Sequence, residues 1–325
     1  MSEASAPVGP PRRPGNMSPV REEVRGGVRA SRLGAAAVLG AVAIWGVVNV
    51  LIKLSPLPAL TFGANRLWMG TALLLVLTLG SGRRLTRAMI RASAPGGVLL
   101  GLEMALWFSA VKRTTLADAA VISALQPALV LLVAGPLFGE RIGVRDVAWM
   151  GVAILGAVLV SVGSSGTPAW SLSGDLLAAA SLLAWTGYFL VSKRARRSVP
   201  PLEYMTVVFA VAALVVTPLA ALSGQPLVGF DRRELLLLGV FVVGASAGHV
   251  LLSWAHASVD VSVSSLLTLL QPVVAALAAR AFLGEPITPL TGAGGAVVIG
   301  ALAAIARRAA RVAEPEEVPP AEPPL

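Results

Sequence analysis

Ten stretches of this chain are nearly free of charge, and short polar or Pro/Gly-containing breaks separate them. They run near 34–52, 58–80, 95–111, 118–138, 146–163, 173–191, 201–223, 234–255, 261–283 and 290–307. Each is long enough, or nearly so, to cross a hydrocarbon core of roughly 30 Å, which takes about 20 helical residues. The runs are too long, and Gly and Pro too dispersed, for the strands of a membrane barrel. Helices are the default, because lipid cannot satisfy free backbone groups. The pattern predicts an all-α membrane protein with ten transmembrane helices. The Pro-, Gly- and charge-rich ends, 1–32 and 309–325, are expected to be disordered cytoplasmic tails. The first apolar run sits behind a long Arg/Pro-rich segment and is read as an uncleaved helix, not a secretory signal.

The ten segments divide into two fives. Gln126-Pro127 followed by Gly139-Glu140 recurs as Gln271-Pro272 followed by Gly284-Glu285, at an offset of 145 residues. Ala110 and Ala255 precede the two copies at the same distance. Trp45 and Lys53 are eight apart, as are Trp185 and Lys193. The repeat predicts a first unit over 33–163, an extracytoplasmic linker over 164–171 and a second unit over 172–308. Five spans is an odd number, so the second unit enters the membrane from the opposite side. The expected architecture is two inverted five-helix repeats.

Composition supports the membrane reading: 56% of the 325 residues are hydrophobic, 13% are charged and the mean hydropathy is +0.79. A soluble domain of this size needs more polar surface. The net charge of +9 could suggest nucleic acid, but its placement argues for topology instead. With the N-terminus inside, nineteen of the 26 Lys and Arg residues fall on one side and five on the other, with Arg66 and Arg280 within the spans. This bias predicts a cell-membrane protein with both termini cytoplasmic, in contact with lipid and not with nucleic acid. The chain has no cysteine, which excludes disulfides and thiolate metal sites. His249 and His256 form no HExxH motif, and no phosphate loop or GxSxG elbow is present. No enzyme, metal site or cofactor is expected.

Ala110, Ala117, Pro127, Gly139-Glu140, Gly151 and Gly156, echoed by Ala255, Pro272, Gly284-Glu285, Gly295 and Gly300, resemble the EamA repeat of the drug/metabolite transporter superfamily. The resemblance covers nearly everything between the tails. It implies a ten-helix exporter or exchanger of small metabolites, such as amino acids, amines or drugs, with a central cavity between the halves. The second copy departs from the family pattern where Ala257 matches Lys112, so a symmetric role for that lysine is not implied.

Polar residues inside the apolar runs are the site candidates. Glu103 falls near mid-membrane, where a charged group costs on the order of 2.5–3.5 kcal/mol. It is a candidate to bind a cationic group or a proton, or to pair with Arg66. Arg66 is a candidate for a substrate carboxylate or for that same pairing. His249 lies one position from the repeat-equivalent of Glu103 and is either a neutral bundle histidine or a proton-relay or substrate-binding residue. His256 is expected at a solvated loop. Trp107, one turn beyond Glu103, and Trp45 are candidate aromatic walls, with Asn49 a turn from Trp45. Trp68, Trp149 and Trp254 suit interface anchors better. Gln126 and Gln271 either satisfy freed backbone carbonyls or face the cavity, and Pro127 and Pro272 are candidate helix kinks. The Gly-Glu pairs are read as helix caps and the GxxxG spacings of Gly97/Gly101 and Gly244/Gly248 as close packing.

The reading is a secondary transporter, exporter or exchanger of a small molecule, working by alternating access around a mid-membrane cavity. With no nucleotide-binding element, the energy comes from a gradient or from exchange, with a proton as one coupling ion considered. The rival readings are a lipid or lipid-linked-sugar flippase and a polytopic membrane enzyme.

Overall fold

The computed structural model describes residues 19–111, 113–114, 116–140, 143–166 and 170–312. These residues form twelve helices and no strand: α1 (Pro19–Leu54), α2 (Ala59–Gly80), α3 (Arg87–Val111), α4 (Leu116–Ser123), α5 (Gln126–Phe138), α6 (Val144–Ser165), α7 (Leu172–Ala195), α8 (Pro201–Leu222), α9 (Arg232–Ala255), α10 (Val261–Thr268), α11 (Gln271–Leu283) and α12 (Pro289–Val312). Nine helical segments among the described residues are long and apolar enough to cross a membrane, with α4–α5 and α10–α11 each counting as one. α3, 25 residues long and carrying Glu103, is a tenth long helix of the same bundle.

Local chemistry sets many of the helix ends. Asp231 and Glu234 form a capping box at the start of α9, with bonds of 2.7 and 2.8 Å that satisfy two otherwise orphaned N–H groups. α5 and α11 both end on a glycine at φ +71°, Gly139 and Gly284, a left-handed cap that L side chains resist. Hydropathy marks only the apolar part of a helix, so several elements outrun it. α1 begins at Pro19 and α12 reaches Val312, both inside segments expected to be tails. Once an apolar helix has nucleated, adding flanking residues without proline costs little. α3 likewise starts at Arg87 and carries Pro95 in its interior.

The two Gln-Pro sites differ from expectation in an instructive way. Pro127 and Pro272 stand in the first turn of α5 and α11 and do not bend a continuous helix. A ring in place of an N–H is tolerated at a helix start and not in its interior. The preceding residues tighten into i→i+3 bonds, Leu125 N to Ile122 O at 3.1 Å and Leu270 N to Leu267 O at 3.2 Å. Each apolar run is therefore split into a short and a longer helix.

The bundle is held by close backbone approach. α6 and α12 meet where a Cβ on Gly156 would lie 2.9 Å from the Gly294 carbonyl, and one on Gly294 would lie 2.7 Å from the Gly156 carbonyl. α3 packs on α7 and α8, α1 on α9 and α11, and α2 on α8 and α9. A Cβ on Gly97 would press on the Val208 carbonyl at 2.8 Å, so the glycine spacing in α3 serves packing on α8. The main core draws Val38, Leu67, Leu100, Tyr188, Met205 and Leu252 from six helices, all fully buried. Leu132, Leu183, Val240 and Val243 are exposed outward, as a lipid-facing surface requires.

Candidate functional site

Four of the polar and aromatic residues singled out in the sequence come together in the bundle. α1 supplies Trp45, α2 Arg66, α3 Glu103 and α9 His249. Trp45 and His249 are buried and meet edge to face at 4.8 Å between ring centroids. The Trp45 indole Nε1–H points at the Ala245 carbonyl, 3.4 Å away. Phe209 closes the other side of His249 at 5.3 Å. His249 Nδ1 is buried without a hydrogen-bond partner among the described residues.

Arg66 sits in the charged centre of this cluster. Its guanidinium donates to Met104 Sδ at 3.3 Å and lies 5.5 Å from the centroid of the Phe241 ring. Both contacts are soft and neither neutralises the charge. Arg66 and Glu103 attract one another, yet among the described residues no ion pair within 4.0 Å joins them. Ser181 of α7 donates to the Glu103 backbone carbonyl at 3.2 Å and so fixes this turn of α3. Trp185, one turn further along α7, meets Trp45 at 6.3 Å and stacks on Tyr188 at 5.2 Å. The cluster therefore presents a cation, an anion, an imidazole with an unsatisfied Nδ1 and an aromatic wall.

Other expected residues lie elsewhere. Trp107 packs on a small satellite cluster of Ala110, Ala119 and Ala178. Gln126 is buried and its Oε1 accepts from Thr268 at 3.3 Å, tying the start of α5 to the end of α10. Gln271 is half-buried at the start of α11. Asn49 belongs to a stretch whose side chains lie outside the described residues. His256 is fully buried and not solvated, because Ser192 bonds its Nδ1 at 2.8 Å and Phe189 packs on its ring. Burial, reinforced by the charges of Lys193 and Arg196, pushes the His256 imidazole down to about 3.

Several contributors carried little signal in the sequence. Phe209, Phe241 and Met104 are apolar residues in apolar helices. Met104 had one available mark, since it lies 145 residues before His249. Glu140 was read as a cap of its own helix. Gly139 does cap α5, and the Glu140 carboxylate in addition bonds to α10 in the other half of the chain.

A bundle of helices long and apolar enough to span a membrane, with a cation and an anion near its centre, fits a membrane transporter. The comparison with known sequences agrees: the EamA-like transporter family matches residues 32–162 and 172–307. This chain belongs to the EamA-like transporter family, whose members are transporters and not enzymes. It is 27% identical to the uncharacterized transporter YwfM of Bacillus subtilis (strain 168), over 81% of this chain and 90% of that one. It is 28% identical to the pseudopaline exporter CntI of Pseudomonas aeruginosa, over 80% of this chain and 91% of that one. A solved crystal structure shares the fold with a TM-score of 0.72 at 23% identity, covering 87% of this chain and 99% of that chain.

Proposed function

We propose that the protein exports a small metabolite across the cell membrane by alternating access, with Arg66, Glu103, His249 and Trp45 lining the substrate path. The observation that carries this reading is the Arg66–Glu103 relationship. Opposite charges left without an ion pair in the middle of a bundle are costly, and are retained where a ligand or proton completes them. The aromatic wall favours a substrate with an apolar part beside its charged groups. The similarity to an exporter supports the outward direction. The basic bias of the loops supports cytoplasmic termini.

The helix contacts support an inverted repeat. Exchanging the two halves turns the α3–α7 contact into α9–α1, α3–α8 into α9–α2, and α5–α7 into α11–α1, all of which occur. The α2–α8 and α6–α12 contacts map onto themselves. Such an arrangement lets one mouth close as the other opens around a fixed centre.

The test is a metabolite profile of the medium from cells with the protein, without it, and with Glu103→Gln at matched membrane levels. A metabolite that accumulates outside only with the native protein is expected. An identical profile in all three strains would sink the proposal.

A further inference from the structure

Glu140 stands just beyond the end of α5, past the left-handed Gly139. Its Oε1 accepts from Val261 N at 2.9 Å, and its Oε2 accepts from Ser262 N at 3.1 Å and from Ser262 Oγ at 2.6 Å. These N–H groups belong to the first turn of α10 and have no partner within that helix. A carboxylate there also meets the positive end of the helix dipole. The cap comes from 121 residues away, out of the other half of the chain.

α10 already has a residue that could cap it locally. Asp260 occupies the N-cap position, where aspartate is among the preferred residues, yet its side chain makes no capping hydrogen bond. Its charge lies instead near Lys193, whose ammonium donates to the Val259 carbonyl. α9 shows the local alternative in the same protein, since Asp231 caps its own helix.

We propose that Glu140 is the latch of one mouth of the transport path, and that Asp260 takes over the α10 cap when the latch releases. The proposal rests on the alternating-access reading. Two carboxylates compete for the Ser262 N–H, which an aspartate at the N-cap also reaches. With Glu140 on it, the end of α5 is tied to the start of α10 and this mouth is shut. When α5 withdraws, Asp260 turns onto the Ser262 N–H, an N2 donor within reach of an N-cap side chain, and the Val261 N–H passes to water entering the open mouth. The exchange keeps the two states close in energy, as a gate that cycles requires. Lys193 is freed of Asp260 in the open state, while its bond to Val259 keeps the α10 entry in place.

The absence of native cysteine makes the test direct, because labels can be placed without background. Leu137 at the end of α5 and Val263 in α10 are exposed. Spin labels on Leu137→Cys and Val263→Cys, in the full chain in lipid, report the width of this mouth by pulsed electron–electron distance measurement. No substrate is needed, so the outcome is independent of whether the transport assay succeeds. Glu140→Gln turns one acceptor oxygen into a donor facing other donors, and is expected to shift the population roughly tenfold or more toward the longer distance, the size expected for losing hydrogen bonds to a charged group. Asp260→Ala is expected to shift it the other way. Glu140→Asp, one methylene shorter, is expected to give an intermediate shift and serves if the amide variant does not accumulate. Glu285→Gln, at the repeat-equivalent position, is expected to leave this distance unchanged. Native distances in both Glu140 variants would overturn the latch while leaving the central site standing. Equal widening by Glu285→Gln would overturn it as well, by showing general loosening.

Discussion

Glu103 and Arg66 are held near one another without an ion pair, and that geometry separates their roles experimentally. Glu103→Gln is expected to insert and fold, because an amide is cheaper to bury than a carboxylate. In reconstituted vesicles it should lose transport driven by a pH gradient. If Glu103 served only to balance Arg66, the variant should instead lose stability, and Arg66→Gln in the same chain should restore it. Gly248→Ala tests the aromatic wall. Its new Cβ would lie 2.5 Å from Trp45 Nε1, so the indole or the helix must shift. A cost of about 1–3 kcal/mol is expected, read as a lower unfolding midpoint with altered tryptophan fluorescence. His256 gives a pH prediction. Its folded value, about 3, lies below its ordinary value of 6.5, so the unfolded chain takes up a proton first as pH falls. Stability should decline from about pH 6.5 downward, and His256→Gln should flatten that decline. Glu103, Arg66, His249 and Trp45 were legible in the sequence because polar or indole-bearing side chains are conspicuous in apolar runs. Phe209 and Phe241 were not, since their neighbours in the sequence look the same.

Helices were more legible than their interruptions. Each apolar run matched a helix or a helix pair, because lipid leaves the backbone little choice. The breaks at Leu125 and Leu270 were not legible, since a proline within an apolar run is compatible with either a kink or a fresh start. Pro127→Ala or Pro272→Ala restores an N–H and lets the short and long helices merge. Export per molecule in the membrane is expected to fall more than protein level does. At a first-turn position the stability change should be small, about 0.4–1 kcal/mol, from unfolded-chain entropy. Equal loss of both would assign the prolines to structure alone. The cap of α10 by Glu140 was hidden for a different reason. Its partner lies 121 residues away, and a Gly-Glu pair has a sufficient local explanation as the end of its own helix.

At the scale of the whole molecule, the charge pattern makes the clearest prediction. A reporter attached after residue 165 should fall outside the cell and one after residue 311 inside. Both on one side would contradict ten spans. The repeat made the division into halves legible, because it is written in identities at fixed spacing. How the halves face one another was not, since helix–helix contacts at Gly156 and Gly294 depend on three-dimensional approach and glycine is abundant throughout the chain.

That glycine contact has a further consequence. α6 and α12 are the closing helices of their respective halves, and they touch backbone to backbone. A surface that pairs with its own counterpart is the surface a free half would use to find a twin. If the halves are inverted as proposed, the chain is equivalent to an antiparallel dimer fused through its linker, and the joint is expected to be dispensable once the partners share a bilayer. Cells making residues 1–166 and 167–325 as separate polypeptides should assemble a working transporter. Gly156→Leu, which forces the seam apart, should abolish recovery of one fragment with the other before it impairs the intact chain, where the tether keeps the effective concentration high.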